Sequence, residues 1–333
     1  MKRNLLAIAI PALLVAGAAN ASIEVWNKDG NKLNINGRVK AANHITDRDN
    51  KIDKEGDNTE ARLGFTGETQ ITDSVTGYGR AEWNTKANGS SVETRYAFAG
   101  LNFGDIGSID YGKNDGIVKA ITSYTDVLPE FGGDASDKDL YLLSERTTGV
   151  VTYRNSNLFG LVDGFNFALQ YADEEGNNKN SAEAYGLNFD YKILDTGLSL
   201  AGAYSQARGG DDRTWGTGLK YDANDLYVAA IYVDSRNKDD NDKEKYRGFE
   251  VVAQYGIDFE VGRLTPSIAY VQHKSKIDGD SEDLVKYVEV GASYDFSKNI
   301  TAIVDYKINL LDEDDVGKPN SKDTVGLGLI YQF

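Results

Sequence analysis

Several charged residues of this 333-residue chain stand one step out of phase with apolar neighbours. Arg62 is out of step with Leu63 and Phe65, Arg95 with Tyr96 and Phe98, and Arg80 and Glu82 flank Ala81. Successive side chains of an extended strand point to opposite faces, so these charges belong to polar faces. A row of guanidinium groups interrupted by carboxylates sets up an electric field; it supplies no nucleophile. Residues for covalent chemistry are scarce. There is no Cys, and only two histidines, His44 and His273, neither accompanied by a Ser-rich or acid-paired motif. Disulfide and zinc-thiolate frameworks are therefore excluded, and no catalytic set, metal site or cofactor is expected. An enzyme such as a phospholipase or protease lacks the residues it would need.

The elements that position these charges follow from composition and period. Formal net charge is −16, which argues against phosphate-backbone binding and hence against nucleic acid as a partner. Lys2 and Arg3 precede an apolar run from Leu5 to Ala19, and Ala19-Asn20-Ala21 supplies a small-x-small pattern. Residues 1–21 therefore read as a cleaved secretory signal, leaving 22–333 as one domain with net charge −18. The run falls short of the roughly 20 residues that a membrane-spanning helix needs.

In the rest of the chain the period is two. Val325, Leu327, Leu329, Tyr331 and Phe333 share one face, against Thr324, Gly326, Gly328 and Gln332, with Ile330 the exception. Val288, Val290, Ala292, Tyr294 and Phe296 alternate with Tyr287, Glu289, Gly291, Ser293 and Asp295. The next segment repeats it, with Ala302, Val304, Tyr306 and Ile308 against Thr301, Asp305 and Lys307. Broad apolar rows opposite rows of Lys, Asp, Glu and Gly suit a barrel whose outside meets lipid and whose lumen holds water. Closure also satisfies every backbone edge, which lipid demands. The mean hydropathy of −0.47 is compatible, because half of each strand faces water.

Connections give the strand count. Short turn-like links occur at 72–74, 104–107, 155–164, 194–197, 222–224, 258–262 and 297–299. Between them lie mostly longer polar stretches near 43–56, 86–92, 114–145, 174–181, 209–212, 235–245, 274–284 and 310–321. Seven and eight connections join sixteen strands, with periplasmic turns alternating with extracellular loops. Trp26, Trp83, Trp215 and tyrosines such as Tyr153, Tyr171, Tyr232 and Tyr331 sit near strand ends, where interfacial girdles form. The acidic clusters at Asp47/Asp49, Asp239/Asp240/Asp242 and Asp312–Asp315 read as solvated loop surface, since none has EF-hand spacing. Gly216/Gly218 and Gly326/Gly328 lie within strands and are expected to relieve crowding there.

One connection stands apart: Asn114 to Glu145 is about thirty residues long, and structureless loops of that length are uncommon and tend to be functional. Its centre, Tyr124-Thr125-Asp126-Val127-Leu128-Pro129-Glu130-Phe131-Gly132-Gly133-Asp134, carries apolar anchors that open solvent would not favour. It is expected to fold into the barrel, pack on the wall and narrow the pore.

Ordered motifs then reveal a resemblance. Asn27-Lys-Asp-Gly-Asn-Lys32, Ala61-Arg-Leu-Gly-Phe65 with Gly67-Glu-Thr-Gln70, Ala97-Phe-Ala-Gly-Leu101, Pro129-Glu-Phe-Gly-Gly-Asp134, Thr152-Tyr-Arg-Asn-Ser-Asn157, Gly218-Leu-Lys-Tyr-Asp222 and terminal Tyr331-Gln-Phe333 closely resemble the enterobacterial general diffusion porins. The resemblance implies an all-β, sixteen-stranded transmembrane barrel with its third loop folded into the pore. It also implies an outer-membrane homotrimer that passes ions and small hydrophilic solutes by diffusion. Matched motif to motif, it implies a basic wall of Arg38, Arg62, Arg95 and Arg146, opposed by Asp126 and Glu130 on the loop; parity adds Arg80 and Glu82. Such opposed charges would form a transverse field across the constriction. Departures from the family pattern are Lys119 where an aromatic residue is common, Glu93 near Arg95, and Glu60 two before Arg62. Lys119 and Arg80 favour anions, while Glu60, Glu93 and the acidic total favour cations. Cation preference is expected weakly, and an anion- or phosphate-preferring channel is the alternative. Lipopolysaccharide, outer-membrane lipid and the barrel assembly machinery, the last through Phe333, are the expected partners. The second loop, 86–92, is shorter than usual for a trimer latch.

Overall fold

The structure, a computed structural model, describes residues 22–46, 56–89, 91–136, 140–173, 183–209, 212–238, 243–277, 279–311 and 322–333. The expected leader and the three acidic clusters lie outside the described residues.

Sixteen antiparallel wall strands run in chain order. They are β1 (Asn31–Thr46), β2 (Glu60–Thr72), β3 (Val75–Lys86), β4 (Val92–Asn102), β5 (Ser108–Asp115), β6 (Arg146–Asn155), β7 (Phe165–Ala172) and β8 (Ala184–Lys192). The second half comprises β9 (Leu198–Ala207), β10 (Arg213–Ala223), β11 (Leu226–Lys238), β12 (Lys243–Tyr255), β13 (Arg263–Ile277), β14 (Asp280–Ser297), β15 (Ile300–Asn309) and β16 (Thr324–Gln332). Each pairs with the next, and β16 pairs back onto β1 from Thr324↔Thr46 to Gln332↔Arg38. The short strand Ser22–Lys28 takes over the same edge of β1, from Ser22↔Asn36 to Lys28↔Asn31. The barrel is thus closed at a seam where Phe333 and Gly37 exchange backbone hydrogen bonds of 2.8 and 2.9 Å.

Alternation puts apolar residues outside. Leu63, Leu169, Leu187, Leu200, Leu219, Ile268, Val290 and Leu329 are exposed on the outer wall, while Glu250, Glu289 and Asp305 are fully buried within the barrel. No helix among the described residues is long and apolar enough to cross a membrane; the strands make the crossing.

Two expectations need correction. The 274–284 stretch is not a long loop: β13 runs to Ile277 and β14 resumes at Asp280. Similarly, β11 extends to Lys238 and β12 resumes at Lys243. Backbone pairing continues above the apolar zone because cross-strand polar pairs support it, as where Lys274 on β13 reaches Asp283 on β14 at 3.6 Å.

The second correction concerns β4. Tyr96 and Phe98 do not face lipid: both are buried inward, and Ala97, Ala99 and Leu101 are the exposed residues. The register jumps from Glu82↔Tyr96 to Trp83↔Thr94, so Arg95 is the extra residue of a β-bulge. A bulge breaks strict alternation, which lets consecutive residues 95 and 96 both reach the lumen.

Residues 116–136 and 140–145, between β5 and β6, lie inside the barrel. A single helical turn, α1 (Lys119–Thr122), starts this third loop. Ile117, Val118, Ile121, Tyr124, Leu142 and Leu143 bury themselves against inward aliphatic residues of the wall, including Ala201, Ala229, Ile231 and Val233. These contacts form the main apolar core, and burial of this kind is worth about 25 cal/mol per Å².

Candidate functional site

The site grows from two facing parts, a charged wall on β1–β4 and the docked loop. On the wall, register aligns Arg38, Arg62 and Asn84 across β1, β2 and β3. Their polar atoms join into a ladder. Glu60 accepts from Arg38 at 2.6 Å and from Arg62 at 3.1 Å. Arg62 also donates to Asn84 at 3.3 Å. Glu82 accepts from Arg95 at 2.6 Å and from Arg80 at 2.7 Å, with Arg62 at 3.9 Å. Four guanidinium groups thus share two carboxylates and keep an excess of positive charge. The carboxylates hold the arginines apart and fix their directions, which bare like charges could not do.

Tyr96 is the residue that alternation misplaced. Arg80 lies 3.9 Å from its ring centroid and Arg146 5.7 Å, so the ring sits against both cations. Its hydroxyl donates to Asp115 Oδ1 at 2.9 Å. No sequence signal marks the bulge that turns it inward.

The loop is held by its backbone. Asp305 Oδ2 accepts from the amides of Glu130 (3.0 Å) and Phe131 (3.2 Å), the Tyr287 hydroxyl from that of Gly132 (3.0 Å), and Glu250 Oε1 from that of Gly133 (3.0 Å). Further back, Gln254 donates to the Val127 carbonyl at 3.0 Å and Tyr227 to the Tyr124 carbonyl at 2.6 Å. The returning limb is held by Ser205, Thr214, Ser235 and Asn237. Hydrogen bonds to a charged acceptor, as the two amides make with the Asp305 carboxylate, contribute about 1.5–3 kcal/mol each. Close approach is made possible by inward glycines. A Cβ on Gly248 would lie 1.7 Å from the Ala135 carbonyl oxygen, and one on Gly326 would lie 2.9 Å from Glu130 Cγ. Gly326 and Gly218 therefore make room for the loop, beyond the strand-to-strand crowding expected of them.

The loop's ionisable groups are placed unevenly. Asp126 is open to the lumen, with 57% of its side chain exposed, and lies 3.7 Å from Lys119. Lys119 also meets Glu145 at 3.4 Å, and Arg146 meets the same carboxylate at 3.8 Å. Burial works against the Lys119 ammonium, but Glu145 and Asp126 outweigh it and hold its pKa above the ordinary lysine value. Glu130, in contrast, is only 4% exposed, and its ion-pair partners lie on β1. It meets Lys40 at 3.1 Å and His44 at 2.8 Å, both on β1, and the His44 ring lies 5.1 Å from that of Phe131. Burial would raise the Glu130 pKa, yet the His44 hydrogen bond and the Lys40 charge hold it below the usual carboxylate range. Lys40 and His44 share the inward phase of Arg38, so parity could have found them. Glu93 is exposed and outside the ladder.

A closed barrel with an apolar exterior, a charged lumen and a loop folded inside it defines a water-filled membrane channel. A family model described as Gram-negative porin matches residues 28–333, and the chain belongs to that family. Outer membrane protein F of Serratia marcescens is 43% identical, and outer membrane porin C of Enterobacter cloacae subsp. cloacae 45% identical, each over the full length of both chains. Among solved structures, a Salmonella typhi OmpF complex with daunomycin superposes with a TM-score of 0.80 at 36% identity, covering 93% of this chain and 100% of that one. The protein is a porin of the Gram-negative outer membrane, through which small hydrophilic solutes diffuse passively.

Proposed function

We propose that solutes cross at a constriction between the docked loop and the Arg38–Glu60–Arg62–Glu82–Arg95 ladder, with Arg80 and Arg146 around Tyr96 at its edge. Asp126 and Lys119 are the loop groups that meet passing ions. The observation that carries this reading is the loop itself, anchored through its backbone to Asp305, Tyr287 and Glu250 inside the barrel. Fixed charges of opposite sign across a narrow aqueous gap are screened weakly when the gap is comparable to the Debye length of about 8 Å. Such a field orients water and polar solutes and penalises apolar ones. The acidic total of the chain supports a modest cation preference.

Assembly as a homotrimer is part of the proposal. The outer face of β2–β4 carries Gly67, Gly79 and Ala99 in one register row and Phe65, Ala81 and Ala97 in the next. Such small side chains let a neighbouring barrel wall approach closely. Outer-leaflet lipopolysaccharide around the barrel, recognition of Phe333 during assembly, and removal of residues 1–21 complete the reading.

Single-channel current of the purified protein in planar bilayers, with reversal potential under a salt gradient, tests it. Large conductance closing in three equal steps with a modest cation shift supports the proposal. Small, solute-blocked conductance with an anion shift favours the second reading, an anion-preferring channel. The pairing of Glu130 by Lys40 supports that alternative, because it removes one loop carboxylate from the opening.

A further inference from the structure

The link between β6 and β7 is built at unusual conformational expense. Asn157, Leu158 and Phe159 have φ of 56°, 46° and 60°, and Gly160 follows at 78°. Four successive left-handed residues, three of them with a Cβ, form a turn of the disfavoured hand. Asparagine side chains brace it. Asn155 Oδ1 accepts from the Phe159 amide at 2.6 Å, while its Nδ2 donates to the Asp105 carbonyl of the neighbouring turn at 2.9 Å. Asn157 Oδ1 accepts from the Gly164 amide at 2.9 Å, and Asn166 Oδ1 from the Asn157 amide at 3.3 Å. Three other links at this end are made in two residues: those between β2 and β3, β10 and β11, and β14 and β15. Closing a hairpin therefore does not require this construction.

What the brace presents is apolar. Leu161 is 80% exposed, the most exposed large apolar side chain among the described residues, and Phe159 and Val162 are exposed beside it. Phe159 is not isolated: its ring lies 5.7 Å from Phe167, which lies 6.0 Å from Tyr153. Phe167 shares the outward phase of Leu169 and Tyr171, both exposed on the outer wall. The turn thus continues the lipid-facing surface past the last wall residues. The adjacent turns carry exposed Ile106 and Leu194, and the Tyr153 hydroxyl donates to the Ile106 carbonyl. Asp105, Asp163 and Asp195 in the same links limit how deep this collar can sit, since carboxylates remain with the headgroups.

We propose that the Ser156–Gly164 turn is a membrane anchor, holding Phe159 and Leu161 at the boundary between headgroups and acyl chains of the inner, phospholipid leaflet. The left-handed bracing keeps both side chains projecting when no partner is bound. A periplasmic protein is the competing occupant; continuity with the aromatic wall favours lipid.

Because the chain has no Cys, single-cysteine labelling tests this cleanly. Leu161→Cys and, in the polar β14–β15 turn, Lys298→Cys are labelled with an environment-sensitive fluorophore and refolded into phosphatidylethanolamine/phosphatidylglycerol vesicles. Retained conductance and heat-resistant folding on gels verify each variant. The pore itself admits iodide, so both membrane faces are sampled. The expected result is blue-shifted emission at position 161, several-fold weaker quenching by iodide than at 298, and strong quenching by lipid-borne spin label. Equal iodide quenching at the two positions, with no lipid-borne quenching at 161, overturns the proposal and leaves the turn as a site facing the periplasm. If Leu161→Cys fails to fold, Val162→Cys is read by the same criteria.

Discussion

The Lys40 ammonium lies 3.1 and 3.2 Å from the two carboxylate oxygens of Glu130, a residue ninety positions away at the tip of the third loop. Together with His44 it ties that tip to the wall strand beside the seam. One loop carboxylate is thereby buried and ion-paired as an anchor. Replacing either partner moves the pore charge in opposite senses. Lys40→Met bares a carboxylate and shifts the reversal potential toward cations; Glu130→Gln bares a lysine and shifts it toward anions. Each also loosens the tip, at a cost of about 1–3 kcal/mol for the partner left buried. Reversal potentials that move in the same direction in both variants would refute the pairing.

Acid should undo this anchor. The folded-state pKa of Glu130 is depressed from the ordinary 4.5, so the stability it contributes is fully present above that value. It is lost as pH falls below 4.5 through the lowered folded-state pKa. The difference in thermal stability between the native protein and Glu130→Gln therefore shrinks as pH falls below 4.5. A difference that instead grows on acidification contradicts the assignment.

Within the ladder, Glu82 and Glu60 differ in their expected effects. Glu82 is nearly inaccessible and bonds Arg80 and Arg95, so Glu82→Ala leaves buried guanidinium groups unpaired and costs about 3 kcal/mol. Glu60 is more accessible and bonds Arg38 and Arg62, so Glu60→Gln costs less and mainly raises positive charge at the opening. Denaturation midpoints and anion permeability, measured on the same preparations, separate the two.

Tyr96→Ala removes the ring that lies against Arg80 and Arg146. Conductance should rise as the space opens, and stability should fall by about 1–2 kcal/mol from lost cation–π contact. Tyr96→Phe keeps the ring and loses only the hydroxyl bond to Asp115, so its conductance stays near that of the native protein.

Much of this was legible in the residues. The alternation in the last three strands, with Asp305 and Glu289 inward, matches the structure strand for strand, because lipid outside and water inside impose one period on the wall. Arg62, Arg80 and Glu82 follow the inward phase that alternation assigned them. Tyr96 escaped because a bulge is a local insertion that leaves no compositional mark. Glu130 matched a motif, but its partners sit on a strand whose contribution depends on how the loop folds across the barrel, a long-range fact. The hairpins at 238–243 and 277–280 were misjudged because charged residues look like loop once a strand rises above lipid.

The seam has a consequence for how the wall can be completed. Strand β1 finds its partners in Ser22–Lys28 beside it and in β16 at the far end of the chain, with Phe333 locked to Gly37. Until residues 324–333 arrive, most of β1 offers an unpaired edge that lipid cannot satisfy and that another strand can. Any chain shortened at that end is left as an open, adhesive sheet. The last ten residues thus decide between a sealed cylinder and a template for aggregation.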